Sequence, residues 1–317
     1  MPSMNTKAAS FTIECHDIAQ VVEFSPFEWS SQLLAIGTTS RVAVVNCSLK
    51  EDGDLQHESV RDFHHGCRVS ALAWSPQTSL TDLPRSLKFC TGGSDKKLRI
   101  FSSDLKDDDR VKILEGHENY INSVCYEPDT GSQVASVSDD YTCRIWSTED
   151  GHQMAVYPLG APGMTVAWHP QDPLKLLVAE KGGMIRIYSI SSNQPIMSLS
   201  SGHTPLMSCD WSLSNPIKIV AMVPGSYLVF DTTTSSYPIC KKQVHSEGGQ
   251  TVRVARCSEN LVATLGRPRS QIKVTNTRNE QVVFEESCHV LNGLSWHHHS
   301  SLLAAGGDRK VHIWHIM

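Results

Sequence analysis

The sequence predicts an all-β protein, a ring of seven four-stranded antiparallel sheets, and three observations lead to this prediction. Residues 114–146 contain three short alternating apolar segments, at 121–126, 134–137 and 142–146, separated by Pro, Gly and Asp turns. The same pattern recurs in weaker form along the whole chain. An alternating segment near the N-terminus has no neighbouring strand of its own to pair with. Alternation with period two indicates strands, and recurrence at about 40–45 residues indicates the blades of a β-propeller.

The clearest repeat is LEGHENYINSVCYEPDTGSQVASVSDDYTCRIW, residues 114–146. It opens with Gly116-His117, has a tight turn at 138–141, and ends its third strand with Trp146. A Gly-His pair at the start and a Trp at the end of the third strand resemble a WD repeat, which forms one four-stranded blade.

Seven positions match the end of this third strand. They are Val45, Phe101, Trp146, Tyr188, Phe230, Thr275 and Trp314. Successive positions lie 39 to 45 residues apart, except for a first interval of 56. The spacing predicts a seven-bladed WD40 β-propeller over residues 11–317 as one domain, preceded by a flexible N-terminus at 1–10.

The ring is expected to close through its first strand. The segment 11–15 alternates but has no partner in blade one, and only three residues follow Trp314, too few for a fourth strand in blade seven. We therefore expect the N-terminal strand to complete the last blade, which removes an exposed sheet edge. Blade one follows at 21–45, and the extra length of the first interval lies in a polar insertion at 46–63.

The remaining blades follow in order. Blade two spans 64–101 with an insertion at 77–86, an acidic loop at 104–109 leads into blade three, and blades four to seven are assigned to 163–189, 202–231, 251–275 and 293–314. Blade six is the least regular of them.

A buried polar chain is expected in blade three. In WD blades the His, a second-strand Ser or Thr, the turn Asp and the third-strand Trp are hydrogen-bonded, which here implies His117, Ser136, Asp140 and Trp146. Blade two offers a shorter set, namely His65, Thr91 and Asp95, with Phe101 in the Trp position. Later blades lose members, because Gly182 replaces the Asp, and Val220 and Ala304 replace the Ser. Those blades are expected to depend mainly on apolar packing.

Three patterns suggest chemistry, and each has a structural interpretation that we favour. Ser136, His117 and Asp140 have the residue types of a nucleophilic triad, but a G-x-S-x-G elbow is absent and the set is expected to be buried. The run 297–299 is three histidines, yet consecutive residues cannot all face one metal ion. The Gly pairs at 92–93 and 306–307 precede tight turns and are not placed to hold phosphate. Catalytic residues, cofactors and metal ligands are therefore not predicted.

Composition narrows the class of partner. Apolar residues make up 40% and charged residues 19%, as in an ordinary folded domain, and the net charge is −5, which argues against direct nucleic-acid binding. The ten cysteines include no C-x-x-C pair, so we expect a reducing compartment without disulfides or zinc. We also expect no signal peptide and no transmembrane segment.

Several blocks lie off the general WD consensus, among them FHHG at 63–66, GMTVAWHP at 163–170 and VAEKGGMIRIY at 178–188. With them the chain resembles the small WD-repeat nucleoporin of the Y-shaped, outer-ring scaffold complex of the nuclear pore. The resemblance implies a non-enzymatic structural subunit of a hetero-oligomeric complex, supporting pore assembly and the transport of protein and mRNA. It also implies docking on a large propeller-and-solenoid scaffold nucleoporin beside other subunits of the complex, location at the nuclear envelope, and association with kinetochores in mitosis.

Two other functions remain open. A WD-repeat substrate adaptor of a ubiquitin ligase or chromatin complex would bind a peptide over the central channel, although no Trp-Asp-x-Arg sequence ends a blade. A propeller hydrolase would use Ser136. Because binding residues concentrate on loops of a rigid scaffold, the candidate interface segments are 48–62, 77–86 and 104–110.

Overall fold

The computed structural model describes residues 11–49, 55–106, 109–268, 270–288 and 291–316. Within these ranges lie 28 strands and one 3-10 helix, Glu28–Ser30, and the strands form seven four-stranded antiparallel sheets. The predicted all-β, seven-bladed propeller is confirmed. Residues 1–10, predicted to be flexible, lie outside the described residues, and the extent of the domain stays a prediction.

The strands follow one another blade by blade. Blade one contains β2 (Val21–Phe24), β3 (Leu33–Gly37), β4 (Arg41–Leu49) and β5 (Leu55–His64). Blade two contains β6 (Val69–Trp74), β7 (Leu87–Gly93), β8 (Leu98–Ser103) and β9 (Asp109–Leu114). Blade three contains β10 (Ile121–Tyr126), β11 (Gln133–Ser138), β12 (Thr142–Ser147) and β13 (Gln153–Pro158). Blade four contains β14 (Gly163–His169), β15 (Asp172–Glu180), β16 (Met184–Ser189) and β17 (Gln194–Ser200).

The second half of the ring repeats this order. Blade five contains β18 (Ser208–Trp211), β19 (Lys218–Val223), β20 (Ser226–Asp231) and β21 (Cys240–Gln243). Blade six contains β22 (Gly248–Val254), β23 (Leu261–Arg267), β24 (Gln271–Asn276) and β25 (Val282–Ser287). Blade seven contains β26 (Leu291–Trp296), β27 (Leu302–Gly307), β28 (Lys310–His315) and, from the other end of the chain, β1 (Phe11–Glu14).

Closure occurs as the sequence predicts. Strand β1 pairs antiparallel with β28, with Phe11 opposite Ile313 and Glu14 opposite Lys310. The last blade therefore has four strands although its C-terminal part supplies only three. Joining the two ends of the chain in one sheet protects an edge that would otherwise be open to pairing.

Blade one differs from the prediction. The stretch assigned to an insertion at 46–63 is mostly the end of β4 and the fourth strand β5, which are nine and ten residues long. Strand β3 stops pairing with β4 at Asn46. Strands β4 and β5 remain paired beyond it, from Cys47 opposite His57 to Leu49 opposite Leu55. Most residues of β5 are exposed, so its sequence shows little apolar alternation and resembles a loop. Residues 50–54 lie outside the described part.

The core lies between neighbouring blades. Six blades place an aromatic side chain near the end of the first strand, and all six are buried: Phe24, Trp74, Tyr126, Trp168, Trp211 and Trp296. Two of the indoles also connect adjacent blades, since Trp74 Nε1 donates to the Glu23 carbonyl at 2.9 Å and Trp296 Nε1 donates to the Arg253 carbonyl at 3.2 Å. The blades are thus held together by apolar packing and by hydrogen bonds across the seams.

The two faces of the ring differ in their connections. On the upper face the first strand of each blade begins and the second turns into the third; on the lower face the first turns into the second and the third into the fourth. The polar chains lie towards the upper face, and the candidate interface segments lie on the lower face. The two sets of predicted residues are therefore separated by the height of the ring.

Candidate functional site

The four residues predicted for blade three form one hydrogen-bonded chain. His117 Nδ1 is 2.7 Å from Asp140 Oδ2, and His117 Nε2 is 2.8 Å from Ser136 Oγ. Trp146 Nε1 donates to the same Ser136 oxygen at 2.9 Å. The segment before β10, the second and third strands and the turn between them each supply one member, so the chain holds the upper end of the blade together.

The protonation states follow from these contacts. Burial lowers the pKa of His117, so its imidazole is neutral, and Asp140 accepts the Nδ1 proton. Nε2 is then an acceptor, which makes the Ser136 hydroxyl a donor to it. Burial alone would raise the pKa of Asp140, but hydrogen bonds from Thr142, the Glu118 N–H and His117 outweigh burial and lower the pKa. Every polar atom of the chain thus has a partner of the correct kind.

The same geometry resembles a Ser-His-Asp triad but lacks access for a substrate. Ser136 is completely buried, and its hydroxyl is enclosed by the imidazole and the indole. A triad serine must reach a carbonyl carbon from an open side. The arrangement suits a structural role, which stays a prediction.

Asp140→Ala is expected to lower the free energy of unfolding by about 1–3 kcal/mol, because buried donors lose their acceptor. Chemical denaturation of both proteins measures this difference. Gly182→Ala is the control, since Gly182 takes the Asp140 position in blade four and an added Cβ would meet only Ala161 Cβ, at 3.1 Å. An equal loss in both variants would contradict the assigned role of Asp140.

In blade two the structure brings together only part of the predicted set. His65 Nε2 is 2.9 Å from Thr91 Oγ1, but its Nδ1 bonds to the Cys67 carbonyl at 2.8 Å. Asp95 instead forms a two-pronged ion pair with Arg99, at 2.6 and 3.0 Å. Hydrogen bonding from Arg99 lowers the pKa of Asp95 to about 2. Arg99 therefore takes the turn carboxylate that the WD pattern assigns to His65.

Blade four contains a buried carboxylate, Glu180, that was not predicted from the sequence. Arg186 occupies the register position of Arg99 and Arg144, and the buried Glu180 at the end of β15 pairs with it. Glu180 Oε2 also accepts the N–H groups of Gly160 and Ala161, at 2.9 and 3.0 Å. A buried carboxylate thus interacts with the blade-four arginine although the turn position is Gly182. The sequence signal for this carboxylate was Arg186 on the third strand of a blade that has no acidic residue at the turn position.

Blade six retains a His-hydroxyl pair that was also missed. His245 Nε2 is 3.0 Å from Thr264 Oγ1, and both side chains are buried. Thr264 lies at the Ser136 position of the register. His245 precedes Val252 by seven residues, as His117 precedes Val124, so the spacing could have identified it although no Gly comes before it.

Two of the residues predicted to match Ser136 lie one position away from the residue that does. In blade five Phe230 is opposite Ile219, so Ala221, not Val220, matches Ser136. In blade seven Trp314 is opposite Leu303, so Ala305, not Ala304, matches it. The turns in these hairpins contain only two residues, 224–225 and 308–309, which shortens each hairpin by one residue.

The loss of a hydroxyl in blade seven has a visible consequence. Trp314 is buried, and within the described part of the chain its Nε1 has no hydrogen-bond acceptor. Its ring is stacked on His312 with centroids 5.7 Å apart. Apolar and aromatic packing therefore replaces the polar chain in this blade.

The histidine run follows the end of β26 on the lower face. His297 packs edge-on against Phe24, with ring centroids 5.2 Å apart, and its Nδ1 accepts the N–H groups of His299 and Ser300. His298 and His299 are edge to face, with centroids 4.5 Å apart. His297 therefore fixes the turn between β26 and β27.

The three candidate interface segments come together on the lower face of blades one and two. The first lies in the β4–β5 hairpin, the second is the loop at 77–86, and the third leads from β8 into the first two residues of β9, with 50–54 and 107–108 outside the described residues. Arg61 of β5 pairs with Asp109 at 2.9 Å and contacts the Lys106 carbonyl at 3.4 Å. The hairpin and the third segment are thus directly connected.

This lower surface also exposes apolar side chains. Leu83 is 88% exposed, Trp29 47% and Leu49 41%. Trp29 is stacked on Phe27 and donates its indole N–H to the Pro76 carbonyl at 3.2 Å, so it is held in place. We call residues 27–29, 46–49, 55–61 and 77–86 the lower docking surface. Among the described residues, no helix has the length and hydropathy needed to span a membrane.

Comparison with known proteins identifies the family. The model for "WD domain, G-beta repeat" matches residues 57–102, 108–147 and 280–315. The chain is 44% identical to Nucleoporin Nup37 of Mus musculus, over 98% of this chain and 97% of that protein. Identity to Nucleoporin Nup37 of Homo sapiens is 43% over the same shares, and to that of Drosophila melanogaster 32% over 96% and 94%. Identity of 32–44% over at least 96% of its length shows that the chain belongs to the Nucleoporin Nup37 family.

Proposed function

We propose that this protein is a non-enzymatic structural subunit of the nuclear pore, within its Y-shaped scaffold complex. The names of its relatives and the sequence resemblance support this role. The proposal includes docking on a large propeller-and-solenoid scaffold nucleoporin through the lower docking surface. One observation supports this assignment. The segments of blades one and two that depart from the regular blade lie on the same face of the ring.

The lower docking surface exposes one aromatic and two leucine side chains among polar residues. Its exposed Trp29 is fixed by stacking and by a hydrogen bond, which reduces the entropy lost on binding. Aromatic side chains of this kind are frequent among residues that dominate binding energy. Leu49 and Leu83 add exposed apolar area on the same face of the ring.

A cavity of about 390 Å³ extends this surface toward blade seven. Leu49, Leu55 and Leu302 give it apolar walls. Asn46 Oδ1 also lies there, buried and without a hydrogen-bond partner in the described part of the chain. The cavity would fit an apolar side chain of the partner next to a hydrogen-bond donor, which would satisfy the Asn46 oxygen.

Affinity capture from nuclear extract, with bound proteins identified by mass spectrometry, tests the proposal. The wild-type chain is expected to recover scaffold nucleoporins, and the double variant Leu49→Glu, Leu83→Glu to recover at least about tenfold less, since burying an unpaired charge opposes binding. Ile196→Glu with Tyr237→Glu is the matched control, because both residues are exposed on other blades.

Two results would contradict the proposal. Recovery of ubiquitin-ligase subunits without scaffold nucleoporins would favour a substrate adaptor. Undiminished recovery by the Leu49→Glu, Leu83→Glu variant, or an equal loss in the control variant, would contradict docking at the lower docking surface.

Two further parts of the proposal need separate measurements. The absence of enzymatic activity is supported by the enclosed Ser136 hydroxyl. A hydrolytic activity abolished by Ser136→Ala at unchanged thermal stability would contradict it. Association with kinetochores, which the resemblance implies, is checked by imaging the tagged protein through mitosis.

A further inference from the structure

The outer rim of the ring is formed by the last strand of each sheet, and these edge strands differ in how they are protected. An edge strand has unpaired N–H and C=O groups, which pair with another extended chain unless charges, proline or a covering segment prevent it. Five of the edge strands carry charged side chains. These are Glu58, Arg61 and Asp62 on β5, Asp109, Arg110 and Lys112 on β9, Lys241 and Lys242 on β21, Glu285 and Glu286 on β25, and Glu14 on β1.

The other two edge strands, β13 and β17, carry no charge. Strand β17 has Pro195 near its start, and the Ser200 N–H at its end donates to the Ser236 carbonyl of the next connection at 2.8 Å. Strand β13 has a proline only at its last position, Pro158. We call Gln153–Pro158 the blade-three edge. Among the edge strands that the structure describes, it is the least protected against pairing.

The hydrogen-bond pattern of blade three shows which backbone groups face outward. The Leu159 N–H donates to the Tyr141 carbonyl at 2.8 Å, so these two residues form a hydrogen-bonded pair. Bonded and non-bonded pairs alternate along an antiparallel ladder. Val156 and Pro158 therefore turn their backbone groups away from β12. One N–H and two carbonyls thus point to the outside of the ring, and an extended chain is the ligand whose groups match them.

The side chains of the blade-three edge favour an apolar ligand. Met154 is 49% exposed and Val156 is 40% exposed. Tyr157 is buried and stacked on Tyr188 of blade four, with ring centroids 4.6 Å apart. Because successive side chains of a strand point to opposite faces, Val156 lies on the face away from Tyr157. A chain paired with this edge would place every second side chain beside Val156, where an apolar side chain fits best.

The lower end of the blade-three edge is acidic. Glu149 and Asp150 are exposed in the turn before β13, and Asp150 lies 3.1 Å from His152. Lys112 also reaches this turn and donates to the Thr148 carbonyl at 3.1 Å. Carboxylates thus outnumber ammonium groups at this end. A chain added antiparallel to β13 reaches the same end with its C-terminal side, so a basic residue there is favoured.

The length of the edge favours a flexible segment over a second copy of the ring. The blade-three edge has six residues. Stable interfaces between two folded chains usually bury about 1,200–2,000 Å² in total, which a single short strand on a convex rim does not supply. In strand addition, by contrast, the main-chain hydrogen bonds provide the affinity and alternate side chains provide the specificity.

We propose that the blade-three edge binds an extended segment of a partner protein, which adds antiparallel to β13 as a fifth strand of blade three. The segment has apolar side chains at alternate positions and a Lys or Arg at its C-terminal end. The Val156 N–H and C=O and the Pro158 carbonyl form the new ladder. The site lies on the rim of blade three, apart from the lower docking surface of blades one and two, so both are available together.

Selection of random dodecapeptides on the full chain tests the proposal. Recovered peptides are synthesised, and their affinities for wild type, Val156→Pro and Ile113→Pro are measured by fluorescence anisotropy. Proline at 156 removes the outward N–H but no hydrogen bond to β12, and edge strands tolerate proline in this orientation. Ile113→Pro is the matched control, because Ile113 is 51% exposed and lies opposite Arg99 on the charged edge β9, as Val156 lies opposite Arg144.

The expected result is enrichment of peptides with alternating apolar residues and a basic C-terminal end. Their affinity falls at least about tenfold in Val156→Pro and is unchanged in Ile113→Pro. Amide hydrogen exchange of the wild-type chain, followed by NMR, supplies a readout that needs no variant. The Val156 amide gains protection when the peptide binds, whereas the Tyr157 amide, which already faces β12, does not change. If Val156→Pro does not fold, Val156→Lys places a charge at the same edge position.

Several results would overturn the proposal. They are a selection without enriched peptides, equal affinity on wild type and Val156→Pro, an equal loss in Ile113→Pro, and an unprotected Val156 amide in the complex. A dimer of the wild-type chain in sedimentation that Val156→Pro abolishes would assign the edge to a second copy instead. None of these outcomes bears on docking at the lower docking surface.

Discussion

Glu180→Ala is expected to lower the free energy of unfolding by about 3 kcal/mol, since removing one partner of a buried ion pair typically costs about 3–5 kcal/mol. Glu180 is only 2% exposed, and it accepts two backbone N–H groups as well as pairing with Arg186. The substitution removes the acceptor of the Gly160 and Ala161 N–H groups. Arg186 is partly exposed and can turn to water, which sets the expected value at the lower end of the range.

Two further variants separate the causes of this loss. Glu180→Gln keeps an oxygen for the N–H groups but removes the charge, so its loss is expected to be smaller, about 1–2 kcal/mol. Lys175→Ala is the control, because Lys175 lies on the same strand and pairs with Asp172 at the surface, where an ion pair contributes about 0–1 kcal/mol. Urea denaturation of the four proteins gives the comparison. Equal losses in Glu180→Ala and Lys175→Ala would show that burial of the pair has no particular effect.

The ring and its closure could be predicted from sequence because they depend on apolar alternation. Strands such as β2 and β24 bury one face between blades, so buried and half-buried residues alternate along them. The segment 11–15 was identifiable for the same reason, since Ile13 is buried in the seam with blade one. Strands that are buried between blades can therefore be recognised in the sequence.

The sequences of the fourth strands have no such alternation. Strand β5 exposes most of its residues, and β9 has only Leu114 fully buried, so neither alternates in a recognisable way. The sequence therefore suggested insertions where the structure has strands. The consequence matters for function, because a hairpin is a more rigid docking element than a loop.

Polar partners were predicted only where the hairpin had the length of blade three. The position that matches Ser136 was predicted by counting back from Phe230 or Trp314. It was wrong by one residue because a two-residue turn makes these hairpins one residue shorter. Glu180 was missed because its side chain comes from the strand and not from the turn, and His245 because it lacks a preceding glycine. Local patterns determine which residues are buried, while partner choice depends on loop length and three-dimensional proximity.

Acidification from pH 7.5 to pH 5 is expected to weaken the fold, and the buried His65 and His245 each contribute to this loss. Burial lowers the pKa of His65 and of His245 to about 4. In the unfolded chain each imidazole takes up a proton near its ordinary pKa of about 6.5. Between pH 6.5 and pH 4 the unfolded state therefore binds more protons than the folded state, and stability falls as the pH falls. At pH 5 each histidine contributes a loss of about 2 kcal/mol.

His65→Gln and His245→Gln test this contribution, because glutamine can still bond to the Thr91 or Thr264 hydroxyl but does not titrate. Each variant is expected to lose less stability than the wild type between pH 7.5 and pH 5, by about 2 kcal/mol. Burial raises the pKa of Glu23 and Asp210, so their protonation acts in the opposite direction, but it is common to all the proteins and cancels in the difference. His57→Gln, on the exposed face of β5, is the control and should follow the wild type. If His65→Gln and His245→Gln also follow the wild type, these imidazoles are protonated in the folded ring, and the neutral His-hydroxyl pairs of blades two and six are assigned incorrectly.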